Sequence, residues 1–201
     1  MQLSKGQNTT LPNHPVMIAV SWPGVSHVDA DLSALLLADG CVRSDDDFVF
    51  YNQPGSPDGS VTHTGKTRTD GVVTDTLVCT LSQADPAIDA VAVSVSVDGP
   101  AAARLADLGE LAVEAAVGTE TFTFIIDDLS DETAAVAVEL YRRDGRWKLR
   151  AVGQGYRDGL AGLARDFGVT VEDETTTPIP DPVADSPADW RNPSVPAGYE
   201  I

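Results

Sequence analysis

The sequence predicts an all-β protein: an antiparallel β-sandwich with one short C-terminal helix. Three observations carry that prediction. Apolar residues alternate with period 2 in one segment after another, and Gly, Asp and Asn clusters separate the segments. Only one stretch, Asp158 to Phe167, reads as a helix. Alternation of β-branched and aromatic residues is the pattern of half-buried antiparallel strands. About eight short strands divided by turns suit two packed sheets.

The elements follow in order. Val16, Ile18, Val20 and Trp22 alternate and open the series. Asp29 and Asp31 stand directly ahead of an apolar run from Leu32 to Leu37. Residues two apart in a strand share a face, so these carboxylates are expected side by side, where like charges repel unless a cation holds them. Phe48 and Phe50 alternate, Thr76 to Leu81 is rich in β-formers, and Val91, Val93, Val95 and Val97 alternate strictly. Leu105 to Val117 (LADLGELAVEAAV) contains helix formers, but Gly109 interrupts it and Leu111, Val113, Ala115 and Val117 alternate, so a strand is expected there. Phe122 with Phe124, then Val136, Val138 and Leu140, continue the pattern, and RWKLRAV closes it. Gly168 is placed to end the helix.

The 201 residues suit one domain with a substantial core. Composition changes near residue 172, which predicts a sandwich domain over 1–171 and a Pro-rich, acidic, extended arm over 172–201. From Glu172 onward seven Asp and Glu stand against one Arg. Such a segment cannot bury enough apolar area to fold alone. Trp190 and Tyr199 are its expected anchors on a protein partner or on another copy of the chain.

The formal net charge of −18 argues against nucleic acid, which needs clustered Lys and Arg, and against an anionic membrane surface. It suits a cation or a basic protein face. Cys41 and Cys79 are too few for a disulfide scaffold and read as reduced, buried thiols. The segment MQLSKGQNTT lacks an apolar core of signal-peptide length, and VMIAVSW is far shorter than a membrane span. A cytoplasmic location is expected.

Nine acids fall between Asp29 and Asp75, set among Gly, Asn and Ser that read as loops. Calcium takes six to eight oxygen ligands, which loops of this composition supply. One reading gathers Asp29, Asp31, Asn52, Asp58, Asp70 and Asp75 at one end of the sandwich as a calcium site. The other is that Asp, Asn and Gly simply make turns, as in SPDGS. The spacing is not that of an EF-hand.

SDDDFVFYNQPGSPDGSVTHTG and ELYRRDGRWKLRAVGQGYRDGLAGLARDFGV resemble the tellurium-resistance TerD family, and LSKGQNTTL is similar to the family's opening strand. The resemblance covers roughly residues 2 to 171. It implies a β-sandwich that binds calcium, is generally cytoplasmic, and is linked to tellurite and stress resistance without an established enzymatic activity. The family's D-x-D falls on Asp29 and Asp31, followed by Ser33 and Ala34. Its Tyr-Asn and Ser-Pro-Asp-Gly fall on Tyr51, Asn52 and Ser56 to Gly59.

The chain then departs from the family. Where an acid usually follows the glycine, Lys66 follows Gly65, and the family's Gly-Asp-Asp-Glu falls near Val72, Val73, Thr74 and Asp75. Fewer anionic ligands weaken a calcium site. Lys66 either neutralises Asp29 and Asp31 as a tethered cation or is a solvated lysine on a loop. Two function classes follow: a calcium-binding, non-enzymatic stress-resistance protein with a degraded site, and a metal-free structural module that attaches through its arm to a phage or cellular particle.

Other motifs read as structure. His14, His27 and His63 have no zinc spacing and read as turn or surface residues. Gly153, Gly155 and Gly159 read as a strand-to-helix turn, since a dinucleotide loop needs a parallel βαβ unit. Asp45, Asp46 and Asp47 read as a solvated loop. Arg142, Arg143, Arg146, Lys148 and Arg150 form a basic hairpin that could receive the acidic arm of a neighbouring copy. No G-x-S-x-G elbow or Cys–His pair supports nucleophilic catalysis.

Overall fold

The computed structural model describes residues 1–24, 27–98 and 103–168. The strands are β1 (Asn8–Thr10), β2 (Val16–Pro23), β3 (Asp29–Ala38), β4 (Cys41–Val42), β5 (Phe48–Val49) and β6 (Val61–Thr69). They continue as β7 (Val72–Cys79), β8 (Ala90–Asp98), β9 (Leu111–Val117), β10 (Glu120–Ile126), β11 (Ala134–Arg143) and β12 (Arg146–Tyr156), before the helix α1 (Gly159–Asp166). One sheet runs β1-β12-β11-β8-β3-β4, with β5 also on β3; the other runs β10-β9-β2-β7-β6. Neighbouring strands are antiparallel throughout both. The all-β sandwich with one short helix is the architecture the alternation predicts.

The core lies between the sheets. Ile18, Val20 and Trp22 of β2 meet Leu32 and Leu36 of β3 and Val91, Val93 and Val95 of β8. The Leu run in β3 is continuous for a separate reason: the opposite face of that sheet is covered too. Leu35, Leu37, Ala90, Ala92 and Val136 form a second apolar layer with Leu163 of α1. A strand buried on both faces loses its alternation.

The N-terminal residues link the sheets. Gly6 N–H donates to Ala151 O of β12 at 2.8 Å, and Leu3 N–H donates to Thr123 O of β10 at 2.8 Å. The open edge of β10 is thereby covered, which blunts strand addition by another chain.

Several expectations are corrected. Leu105–Leu108 is a turn of 3₁₀ helix, and the strand begins only at Leu111. Val61–Thr69, read as part of a ligand loop, is the edge strand β6. Gly153 and Gly155 lie inside β12, where a Cβ would come within 2.9 Å of the Phe124 ring and 2.3 Å of Glu132; close approach at both, with the φ of +61° at Gly153, rather than a strand-to-helix turn, favours glycine there. Gly159 alone opens the helix. Cys79 is buried, which pushes its thiol up to about 12, whereas Cys41 is exposed. Trp190 and Tyr199, with the rest of the arm, lie outside the described residues.

Candidate functional site

The corner where β3 faces the β6–β7 hairpin carries two ion-paired groups, Lys66 with Asp29 and Asp31, and His63 with Asp75. Ala30 and Leu32 point into the core, so Asp29 and Asp31 share the opposite face of β3. The Lys66 ammonium lies between them, 3.1 Å from Asp29 Oδ2 and 2.8 Å from Asp31 Oδ1. The lysine also sits 5.9 Å from the centroid of the buried Trp22 ring, within cation–π range. Although β6 is an exposed edge, the Lys66 side chain keeps only 26% of its surface in water. Burial pulls this ammonium down, but the bonds to Asp31 and Asp29 outweigh it and hold the group above the ordinary lysine range.

A local irregularity aims Lys66 at this corner. His63 pairs with Leu77 and Lys66 with Asp75, because the register shifts at Gly65, which has φ of +95°. Leu77 and Asp75 both face inward. Without the bulge, strict alternation from His63 would send Lys66 outward.

Asp75 sits deeper. It is completely buried, and its Oδ2 accepts Leu32 N–H at 2.9 Å. The other oxygen accepts Thr76 N–H at 2.9 Å and bonds His63 Nε2 at 2.8 Å. The pairing of β5 with β3 stops at Ala34, and Asp75 supplies an acceptor to the strand just beyond that point. His63 is therefore not a surface histidine: it is 8% exposed and tied to Asp75. The only sequence signal for this was that Val61 and His63, two apart, share a face of one strand.

The remaining expected ligands go elsewhere. Asp58 closes its own SPDGS turn, accepting from Ser56 Oγ at 2.7 Å, Ser60 N–H at 2.9 Å and Asp85 N–H at 2.8 Å. Burial pushes this carboxyl up, but the donors from Asp85, Ser60 and Ser56 more than offset that and lower it from 3.8 to about 2. Asp70, with φ of +52°, and Gly71, with φ of +77°, form the tip of the β6–β7 hairpin, the positive-φ pair of a type I′ turn. Asn52 is exposed in the turn between Phe50 and Gln53. The expected six-residue set is thus not brought together. Among the described residues, no three His, Cys, Asp or Glu side chains converge as metal ligands. These residues do not fit a calcium ion, which needs at least six oxygens around one point.

Asp58 yields a test. Its depressed carboxyl contributes stability that is present above the ordinary value of 3.8 and lost as pH falls through about 2. With solvent screening allowed for, the contribution is on the order of 1 kcal/mol. Asp58→Asn is expected to be less stable than wild type at pH 6, with the gap closing as pH approaches 2. Urea unfolding across that range measures it; a gap independent of pH would refute the account.

Sequence reading also missed an ion-pair cluster. Asp47, expected in a solvated loop, is 1% exposed and receives a forked pair of bonds from Arg43 at 2.6 and 2.9 Å. Arg43 also donates to Asp85 at 2.9 Å, and its bonds to Asp47, with those to Asp85, raise it further above its ordinary value. In the basic hairpin, Arg142 stacks over Trp147 at 5.0 Å, and Arg150 pairs with Glu139 and lies over Tyr141 at 5.1 Å. Beside α1 runs an apolar groove of about 470 Å³, lined by Leu35, Val42, Phe48, Phe50 and Leu160 among others.

Comparison with known proteins gives a consistent result. The TerD domain matches residues 1–167. The tellurium resistance protein TerD of Serratia marcescens is 38% identical over 84% of this chain and 97% of its own length. General stress protein 16U of Bacillus subtilis is 35% identical over 85% of this chain and 98% of its own. Among solved structures, a homologue of the telluride resistance protein TerD from Streptomyces coelicolor superposes with a TM-score of 0.64 at 22% identity, over 76% of this chain and 96% of that one, which speaks to the fold alone. The chain belongs to the TerD domain family.

Proposed function

We propose that this chain is a non-enzymatic resistance protein of the TerD type, protecting a cell's cytoplasm against tellurite or chemical damage by binding rather than by catalysis. The observation that carries this reading is the TerD match over residues 1–167, with relatives named for tellurium resistance, chemical-damage resistance and general stress. The buried carboxylates among the described residues support it, because they are committed to structural partners: Asp75 to His63 and two backbone N–H groups, Asp47 to Arg43. No helix among the described residues is long and apolar enough to cross a membrane.

A second reading concerns how the chain is held in place. The domain match ends at residue 167, while the sequence runs on to 201 and includes Trp190 and Tyr199. In this reading residues 172–201 are an arm that attaches the domain to a protein partner or to another copy. Expression of the full chain in a tellurite-sensitive bacterium is expected to raise the tellurite concentration that arrests growth. A chain ending at Val171 is expected to fold but to protect less. No protection by the full chain would sink the resistance role, and equal protection by both chains would sink the role of the arm.

A further inference from the structure

We propose that Lys66 is the resident cation of the Asp29–Asp31 pair, and that this corner of the sandwich is closed to calcium in this chain. The two carboxylates are forced together by period 2 of β3, and a single ammonium touches both, at 3.1 and 2.8 Å. Its placement is specified by backbone geometry, through the bulge at Gly65, and by the face of Trp22. Asp58, Asp70 and Asp75, which a calcium site would have recruited, are engaged in a turn, a hairpin tip and the core.

A calcium ion arriving here would find two carboxylates already neutralised in part and would have to displace a cation attached to the same fold. A group tethered through a short linker competes at an effective concentration of roughly millimolar. Two carboxylates also leave at least four coordination positions to water or backbone. Both effects act against calcium, and removing the ammonium relieves the first. The Asp29–Asp31 pair is therefore a latent cation site that Lys66 keeps occupied. This inference stands apart from the resistance role, since it concerns only what neutralises the pair.

The test is calorimetric titration of the full chain with CaCl₂ in buffer of fixed ionic strength, with melting temperature followed in parallel, for wild type, Lys66→Met and Lys66→Asp. Wild type is expected to give no saturable heat up to millimolar calcium and no calcium-dependent rise in melting temperature. Lys66→Met keeps the length of the side chain without its charge; it should melt lower than wild type and be restored by calcium through mass action. Lys66→Asp should bind calcium at least about tenfold more tightly than wild type, the direction set by added ligand charge. The gain should vanish when Asp29→Asn is added. Saturable calcium binding by wild type that Lys66→Met leaves unchanged would overturn the proposal. So would two folded variants that stay silent to calcium.

Discussion

Asp75→Ala is expected to lower the unfolding free energy by about 3–5 kcal/mol, measured by urea unfolding at neutral pH. The carboxylate is completely buried and accepts from Leu32 N–H, Thr76 N–H and His63. Alanine leaves three polar groups without that acceptor, and each buried group left unsatisfied costs about 1–3 kcal/mol. A small cavity adds to the loss. Asp75→Asn keeps one carbonyl oxygen but turns an amide donor toward Leu32 N–H or His63, so an intermediate loss is expected. His63→Ala should cost less than Asp75→Ala, because the carboxylate retains its two backbone donors. A loss below about 1 kcal/mol for Asp75→Ala would mean that the acceptor at Leu32 is dispensable.

Arg43→Ala is the second large effect, expected at about 2–4 kcal/mol in the same measurement. The substitution strips a forked, charge-assisted pair of bonds from Asp47, which is only 1% exposed, and leaves a buried carboxylate without its counter-ion. Arg43→Lys is expected to recover only part of the loss, since an ammonium cannot donate the parallel pair of bonds that a guanidinium presents. Asp85→Ala should cost far less through this contact, because the Arg43–Asp85 pair is open to water on both sides, at 35% and 40% exposure. Equal losses for Asp85→Ala and Arg43→Ala would show that the buried partner does not dominate the cluster.

These two residues mark where sequence reading runs out. The acid run at Asp45 to Asp47 carries no local sign that its last member turns inward, because the arginine that permits burial approaches from Arg43 through a 3₁₀ turn. The Thr62–Arg68 segment is polar enough to pass for a loop. It is a strand because its backbone groups pair with β7, and an edge strand with one face in water needs few apolar residues. Its apolar signal reduces to Val61, followed by an inward-facing histidine. The expectation of a ligand loop failed for that reason.

The sequence by itself determined the class of fold, because period-2 alternation is local chemistry: each strand states which face it buries. It also determined that Asp29 and Asp31 stand side by side, that a lysine follows Gly65, and that one helix follows Asp158. Only the tertiary structure decided which groups meet. Lys66 reaches Asp29 across 37 residues of chain, and it does so because one bulge reverses the facing of the second half of β6. Asp75 was expected among the ligands at the sandwich end but became a buried acceptor for Leu32 and His63. Register and bulges are set by strand pairing between distant segments, and a shift of one residue exchanges inside for outside. The fate of each carboxylate was settled there.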